Sequence, residues 1–162
     1  MRLWPIFQGL CLVLAANGAP VLAHALFGEW GSRPLDLGWS FFDGRPIFGE
    51  SKTIRGVLLA LLAASIAAPA LGLAWEVGLL AGAAAMAGDL LSSFIKRRLA
   101  LAPHSMAPGL DQAPESLFPL LACKGALGLS AADALIGAGL FWIGGLALYR
   151  ALYALGMRDR PY

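Results

Sequence analysis

Charge is scarce in this sequence: Asp, Glu, Lys and Arg supply 14% of 162 residues, against 59% apolar residues, and the mean hydropathy is +0.71. That composition excludes a disordered chain and an ordinary water-soluble domain. Cysteine is scarcer still. Cys11 and Cys123 lie far apart in apolar runs, with no CxxC or Cys/His spacing, so both read as packing residues at lipid depth. No Ser/His/Asp triad spacing is evident. Twelve Lys and Arg against ten Asp and Glu is too even a balance for a nucleic-acid binder.

Long apolar runs fill the space left by these absences. A helix needs about 20 residues to cross a hydrocarbon core of roughly 30 Å, so the chain has room for about four to six spans and no separate extramembrane domain. Residues 1–162 read as one transmembrane domain. The first run, residues 3–26, contains Gln8, Asn17 and two prolines. Arg2 followed by a stretch ending near Ala23-His24-Ala25 imitates a cleavable signal peptide. Further hydrophobic runs follow, and an uncleaved first span is the simpler reading.

Residues 27–55 are polar, with Gly, Pro and Trp punctuation suited to an ordered loop. Residues 56–75 carry no charge, residues 77–95 carry only Asp89, and Glu76 separates the two runs. They read as a helical hairpin turning near residues 69–76. Its second helix carries Gly78 and Gly82 four apart, a spacing that permits close helix contact within the chain or in a homodimer. A second polar stretch covers residues 96–115. A short span at residues 116–129 contains Lys124, whose ammonium reaches back to the nearer surface. The last span is residues 134–154, and a basic tail follows.

The expectation is therefore an all-α integral membrane protein with five spans and two polar loops. Arg33, Arg45, Lys52, Arg55, Lys96, Arg97, Arg98, Arg150, Arg158 and Arg160 fall on one side of such a topology; only Arg2 and Lys124 fall on the other. The positive-inside bias puts the first group, both polar loops included, in the cytoplasm of a cytoplasmic-membrane protein.

The densest chemistry lies in residues 88–98. On a helix, Asp89, Ser93, Lys96 and Arg97 share a face at i, i+4, i+7 and i+8, running from carboxylate through hydroxyl to paired cations. An acid inside a span costs at least a few kcal/mol, which makes a functional role the default; the alternative is an ion pair joining two helices. Asp111 and Glu115 are placed to bring two further carboxylates back to the membrane surface near Asp89. Oxygen ligands without a Cys or His cluster suit Mg²⁺ and not zinc. His104 reads as a loop residue. In the first loop, Ser51 or Thr53 is positioned to cap the next helix, with Lys52 and Arg55 beside its free N–H groups as a phosphate cradle. The GxxxxGK[ST] order of a P-loop is absent. Carboxylates and cations on one membrane surface match a polyphosphate bridged by Mg²⁺, and phosphoryl-type displacement needs no covalent protein nucleophile. A small transporter or accessory subunit using Asp89 as an ion site stays open on these residues alone.

The run DGRPIFGESKTIRG, the run GDLLSSFIKRRLALAP and the PGLDQ that follows, with Ala16-Asn17 and Pro20 ahead of them, resemble the CDP-archaeol synthase family, membrane relatives of phosphatidate cytidylyltransferases. The resemblance covers roughly residues 15 to 120. It implies a five-helix enzyme that uses CTP and Mg²⁺ to convert a lipid phosphate into a CDP-lipid and pyrophosphate. It further implies that Asp89 and Asp111 hold the metal, that Lys96 and Arg97 neutralise nucleotide or lipid phosphates, and that Lys52 and Arg55 do so from the first loop. Thr53 and Ser93 fall beside these substrate-binding positions, and Asn17 lines the same cavity or bonds between helices. The family tends to carry an acid three residues after the Asp of its DQ motif; here that position is Pro114 and the acid is Glu115.

Overall fold

The structure, a computed structural model, describes residues 2–101, 105, 107 and 109–154. His104, Arg158 and Arg160 lie outside the described residues. Among the described residues six helices follow in order: α1 (Leu3–Phe27), α2 (Ile54–Ala70), α3 (Trp75–Arg98), α4 (Gln112–Ala122), α5 (Lys124–Leu127) and α6 (Ala131–Ala154). Among the described residues, extended pairing is limited to two isolated bridges, Pro34 with Thr53 and Ser40 with Pro46.

α1, α3 and α6 are each long and apolar enough to cross a membrane. α2, at 17 residues, rises about 25 Å at roughly 1.5 Å per residue. The expected fourth span differs in form: the helix begins earlier, at Gln112, runs 11 residues and breaks at Cys123, and α5 adds one further turn. Gly128 ends α5 in the left-handed region at φ 66. The chain nevertheless reaches the far end of the bundle there, because the Arg2 guanidinium donates to the Gly128 carbonyl and the Arg2 backbone N–H to Asp133 Oδ1. At that same end Gln8 Nε2 donates to the Leu71 carbonyl in the α2–α3 turn, at 2.8 Å.

Small residues set the packing. A Cβ on Gly78 would strike the Ala64 carbonyl, and one on Gly82 would lie 3.2 Å from the Ala60 carbonyl. The Gly78/Gly82 face is thus occupied by α2 of the same chain. Ala16, Ala60, Ala64 and Ala85 form a buried cluster with Met86, whereas Leu14, Leu22, Leu62, Ile66 and Ile143 are exposed. Large apolar side chains outside and small ones between helices is the arrangement expected when lipid is the solvent. α4 is keyed in by Leu120, which fills the space left by Gly9 of α1 and Gly137 of α6.

Candidate functional site

The first loop, residues 28–53, is held in shape by Asp36. Its buried carboxylate accepts from the backbone N–H groups of Phe48 and Gly49 at 2.9 Å each, and from Gly38 at 3.1 Å. Burial works against the charge, but these backbone donors outweigh it and hold the Asp36 carboxyl below its ordinary range. Arg98 fastens the loop to the end of α3. Its guanidinium lies 4.8 Å from the Phe41 ring centre and 4.9 Å from that of Phe94, and donates to Asp43 Oδ1 at 2.9 Å and to the carbonyls of Arg45 and Pro46. Arg45 reciprocates by donating to the Arg98 carbonyl at 2.6 Å, satisfying one of the free carbonyls at the helix end.

This fastening delivers Lys52 to Asp89. Lys52 Nζ lies 2.6 Å from both carboxylate oxygens, so the intramembrane acid is paired with a lysine from the loop. A second pair forms two turns further along α3, where Lys96 Nζ lies 2.8 Å from Asp111 Oδ1 and donates to the Ser105 carbonyl at 3.2 Å. Asp111 also accepts from the Ala107 N–H at 3.0 Å, and Gln112 Oε1 accepts from the Gly109 N–H at 2.8 Å. The Asp-Gln pair thereby folds its own turn. Glu115 lies within electrostatic reach of Asp89, Asp111, Lys52 and Lys96. Gly88 explains this approach: a Cβ there would collide with the Pro114 carbonyl and lie 2.8 Å from the Glu115 nitrogen. Only glycine lets α4 come so near to α3 beside Asp89.

Arg97 is buried, its side chain 3.6 Å from where a Cβ on Gly49 would sit. Ser93 is buried on the same α3 face, and its hydroxyl has no hydrogen-bond partner among the described residues. The same holds for both polar atoms of the Asn17 amide. Thr53 caps α2, accepting from the Gly56 N–H at 3.0 Å. Arg55 donates to the Trp30 carbonyl and, at 2.9 Å, to the Gly28 carbonyl, tying the start of the loop to α2. The structure therefore brings Lys52, Asp89, Lys96, Asp111 and Glu115 together, while the described contacts of Thr53 and Arg55 serve the loop and the helix cap. Sequence reasoning missed Asp36, Gly88 and Arg98 as organisers. The available signals were an acid amid glycines, a glycine adjoining the intramembrane acid, and an arginine four residues beyond Phe94.

Among the described residues, no three His, Cys, Asp or Glu side chains converge as a ready metal cage. The donor chemistry still fits a hard cation. Mg²⁺ is commonly held by one or two carboxylates and completed by substrate phosphates and water, and Asp89 and Asp111 are oxygen donors that both interact electrostatically with Glu115.

Comparisons with known proteins place the chain among relatives of one kind. A CarS-like family model, CDP-archaeol synthase, matches residues 3–75. The CDP-archaeol synthase of Pyrococcus furiosus is 40% identical over 67% of this chain and 69% of its own length. That of Methanopyrus kandleri is 41% identical over 65% and 62%, and that of Pyrobaculum calidifontis 38% identical over 75% and 70%. A solved structure of an intramembrane enzyme for archaeal membrane lipid biosynthesis superposes with a TM-score of 0.75 at 32% identity. The match covers 87% of this chain and 90% of that one.

Proposed function

The chain belongs to the CDP-archaeol synthase family, and from that membership we propose that it transfers the cytidylyl group of CTP to a membrane lipid phosphate, giving a CDP-lipid and pyrophosphate. The observation that carries the reading is the pair of lysine–carboxylate contacts, Lys52 with Asp89 and Lys96 with Asp111, converging on Glu115 where α3 and α4 meet. An oxygen of the lipid phosphate attacks the α-phosphorus of CTP, and the bond to the β-phosphate oxygen breaks. The protein supplies position and charge and no covalent nucleophile.

In this reading both lysines hold the site ready by neutralising acids that would otherwise stand uncompensated in a low-dielectric bundle. On nucleotide binding Lys52 and Lys96 turn to phosphate oxygens, with buried Arg97 beside them, and Asp89 and Asp111 are freed as oxygen donors. Mg²⁺, held by Asp89 and Asp111, would screen the charge of the triphosphate and of the departing pyrophosphate. Ser93 and Asn17, polar groups buried without partners among the described residues, supply hydrogen bonds that a polar substrate completes. The site faces the cytoplasm, the side on which Lys and Arg are gathered. Because α2 covers the Gly78/Gly82 face, a homodimer would need another surface.

The test is turnover of radiolabelled CTP by detergent-purified protein, with Mg²⁺ and lipid phosphates of diacylglycerol, isoprenoid-ether and polyprenyl type. A labelled CDP-lipid that vanishes in Asp89→Asn is the expected result and names the lipid class. A folded protein that binds neither CTP nor Mg²⁺ and yields no product would overturn the reading in favour of a transport or accessory role.

A further inference from the structure

Two open hollows lie along α2, the first against the start of the first loop and the second in the seam with α1. The first, about 390 Å³, is walled by Trp30, Ile54, Leu58 and Leu59 and has Arg33 and Arg55 at its rim. The second, about 290 Å³, is wholly apolar and shares Leu59 with the first; it runs between Leu22, Leu26 and Phe27 of α1 and Leu62, Ala63 and Ile66 of α2. Sharing Leu59, they line up as one open surface channel with cations at one end and hydrocarbon along the rest. From Arg55 to Ile66 the channel follows α2 for eleven residues, about 16 Å at roughly 1.5 Å per residue. That is half of a hydrocarbon core of roughly 30 Å, the depth of one leaflet.

The cationic end has a donor to spare. Arg55 is engaged with the Gly28 and Trp30 carbonyls, but the exposed guanidinium of Arg33 has no partner among the described residues. Arg33 is also tied to the proposed site. The Ile54 N–H donates to its carbonyl at 3.0 Å, and the Leu35 N–H to the Lys52 carbonyl at 2.7 Å, so residues 33–35 lie alongside residues 52–54. An anion held by Arg33 therefore sits beside the segment that carries Lys52 to Asp89.

We propose that this channel docks the lipid phosphate substrate, Arg33 taking the phosphomonoester and the α1–α2 seam taking one hydrocarbon chain. The proposal rests on the cytidylyltransferase reading and adds to it where the lipid approaches. A single-headed anionic lipid is the occupant that satisfies both ends: the unpaired cation selects a phosphate, and the apolar remainder matches a chain within one leaflet. A zwitterionic lipid leaves Arg33 in competition with the lipid's own cation.

The test places the full-length protein in lipid nanodiscs with a lipid phosphate bearing a photoreactive group halfway along one chain. Cross-links are expected at Leu62 to Ile66, and Arg33→Gln should lower their yield roughly fivefold or more, with Arg33→Lys retaining most of it. In turnover assays Arg33→Gln should raise KM for lipid phosphate about tenfold and leave KM for CTP unchanged, and Leu62→Trp, which fills the seam, should do the same. Cross-links spread evenly over the helices, or unchanged in Arg33→Gln, would overturn the proposal. So would cross-links that depend on Arg33 while KM for lipid stays put, which would make the occupant a structural lipid. Cross-links between two copies at this seam would overturn it in favour of a dimer. Absence of turnover in the unaltered protein would count against the cytidylyltransferase reading, and the cross-links would still judge the channel.

Discussion

An ionised carboxylate among apolar helices costs at least a few kcal/mol, and Asp89 meets that cost by placing both oxygens 2.6 Å from Lys52 Nζ. Removing one partner of such a pair leaves the other charge uncompensated, so the two single variants differ in kind from the double. Lys52→Ala and Asp89→Asn should each lower turnover by at least about a hundredfold, on the scale of a few kcal/mol of lost charge stabilisation. In thermal unfolding the Lys52→Ala protein should be the less stable single variant, and Asp89→Asn combined with it should recover part of the loss. Additive losses in the double variant would show that the two side chains do not act as a unit. Lys96→Ala should likewise reduce turnover far more than Lys124→Ala, since Lys96 binds Asp111 whereas Lys124 is exposed at the opposite end of the bundle; equal losses would remove Lys96 from the site. Asp36 gives a prediction in pH. Its folded carboxyl titrates below its ordinary range, so its contribution is complete above the unfolded value of about 3.9 and is lost as pH falls through the lower folded value. Hydrogen exchange at the Phe48 and Gly49 amides should therefore accelerate, beyond its intrinsic pH dependence, only below about pH 4, and Asp36→Asn should abolish that step.

Among the elements, α3 governs the site because its two neighbours approach on glycine. At Gly78 and Gly82 it meets α2, and at Gly88 it meets the start of α4. Gly88→Ala should destabilise the protein by about 1–3 kcal/mol, the usual cost of overpacking, and should also cut turnover, because α4 carries Glu115 and adjoins Asp111. Gly144→Ala on α6 is the control: nothing lies within 4 Å of a Cβ there, and alanine is the better helix former by about 1 kcal/mol. If Gly88→Ala retained full activity and stability, the α3–α4 contact would not position the acids. The contrast also shows what the sequence made legible. The α2–α3 hairpin could be read from two apolar runs, and the Gly78/Gly82 contact from spacing alone. The grouping of Asp89 with Lys96 and Arg97 on one face followed from helical periodicity. The pairing of Lys52 with Asp89 could not be read in this way, because it depends on a loop whose shape is set by Asp36, Arg45 and Arg98 through contacts 12 to 55 residues apart. Nor could the break after α4: residues 116–129 read as one apolar run, and nothing in that run marks Cys123 as the point where the helix stops.

Across the whole molecule, polarity is divided by depth. One end carries the Arg2 contacts to Gly128 and Asp133 and the Gln8 contact to Leu71, which close the bundle. The other carries the folded first loop, the second loop and the paired acids. Between them the exposed surface is leucine and isoleucine and the interior is largely alanine and glycine. A protein built this way is held at one depth by its apolar belt, so the two ends must lie on opposite sides of the membrane. Cysteine labelling tests the direction. With Cys11 and Cys123 replaced by serine and alanine, a cysteine introduced at exposed Glu29 in the first loop or at exposed Lys124 at the other end becomes the only thiol. A membrane-impermeant maleimide should label Lys124→Cys in intact cells and Glu29→Cys only after the membrane is opened, because ten of the twelve Lys and Arg lie on the loop side in the expected topology. Labelling of both positions from outside would break the five-traverse arrangement, since Glu29 and Lys124 would then share a face. The reversed pattern would keep the arrangement and turn the nucleotide site outward, away from cytoplasmic CTP.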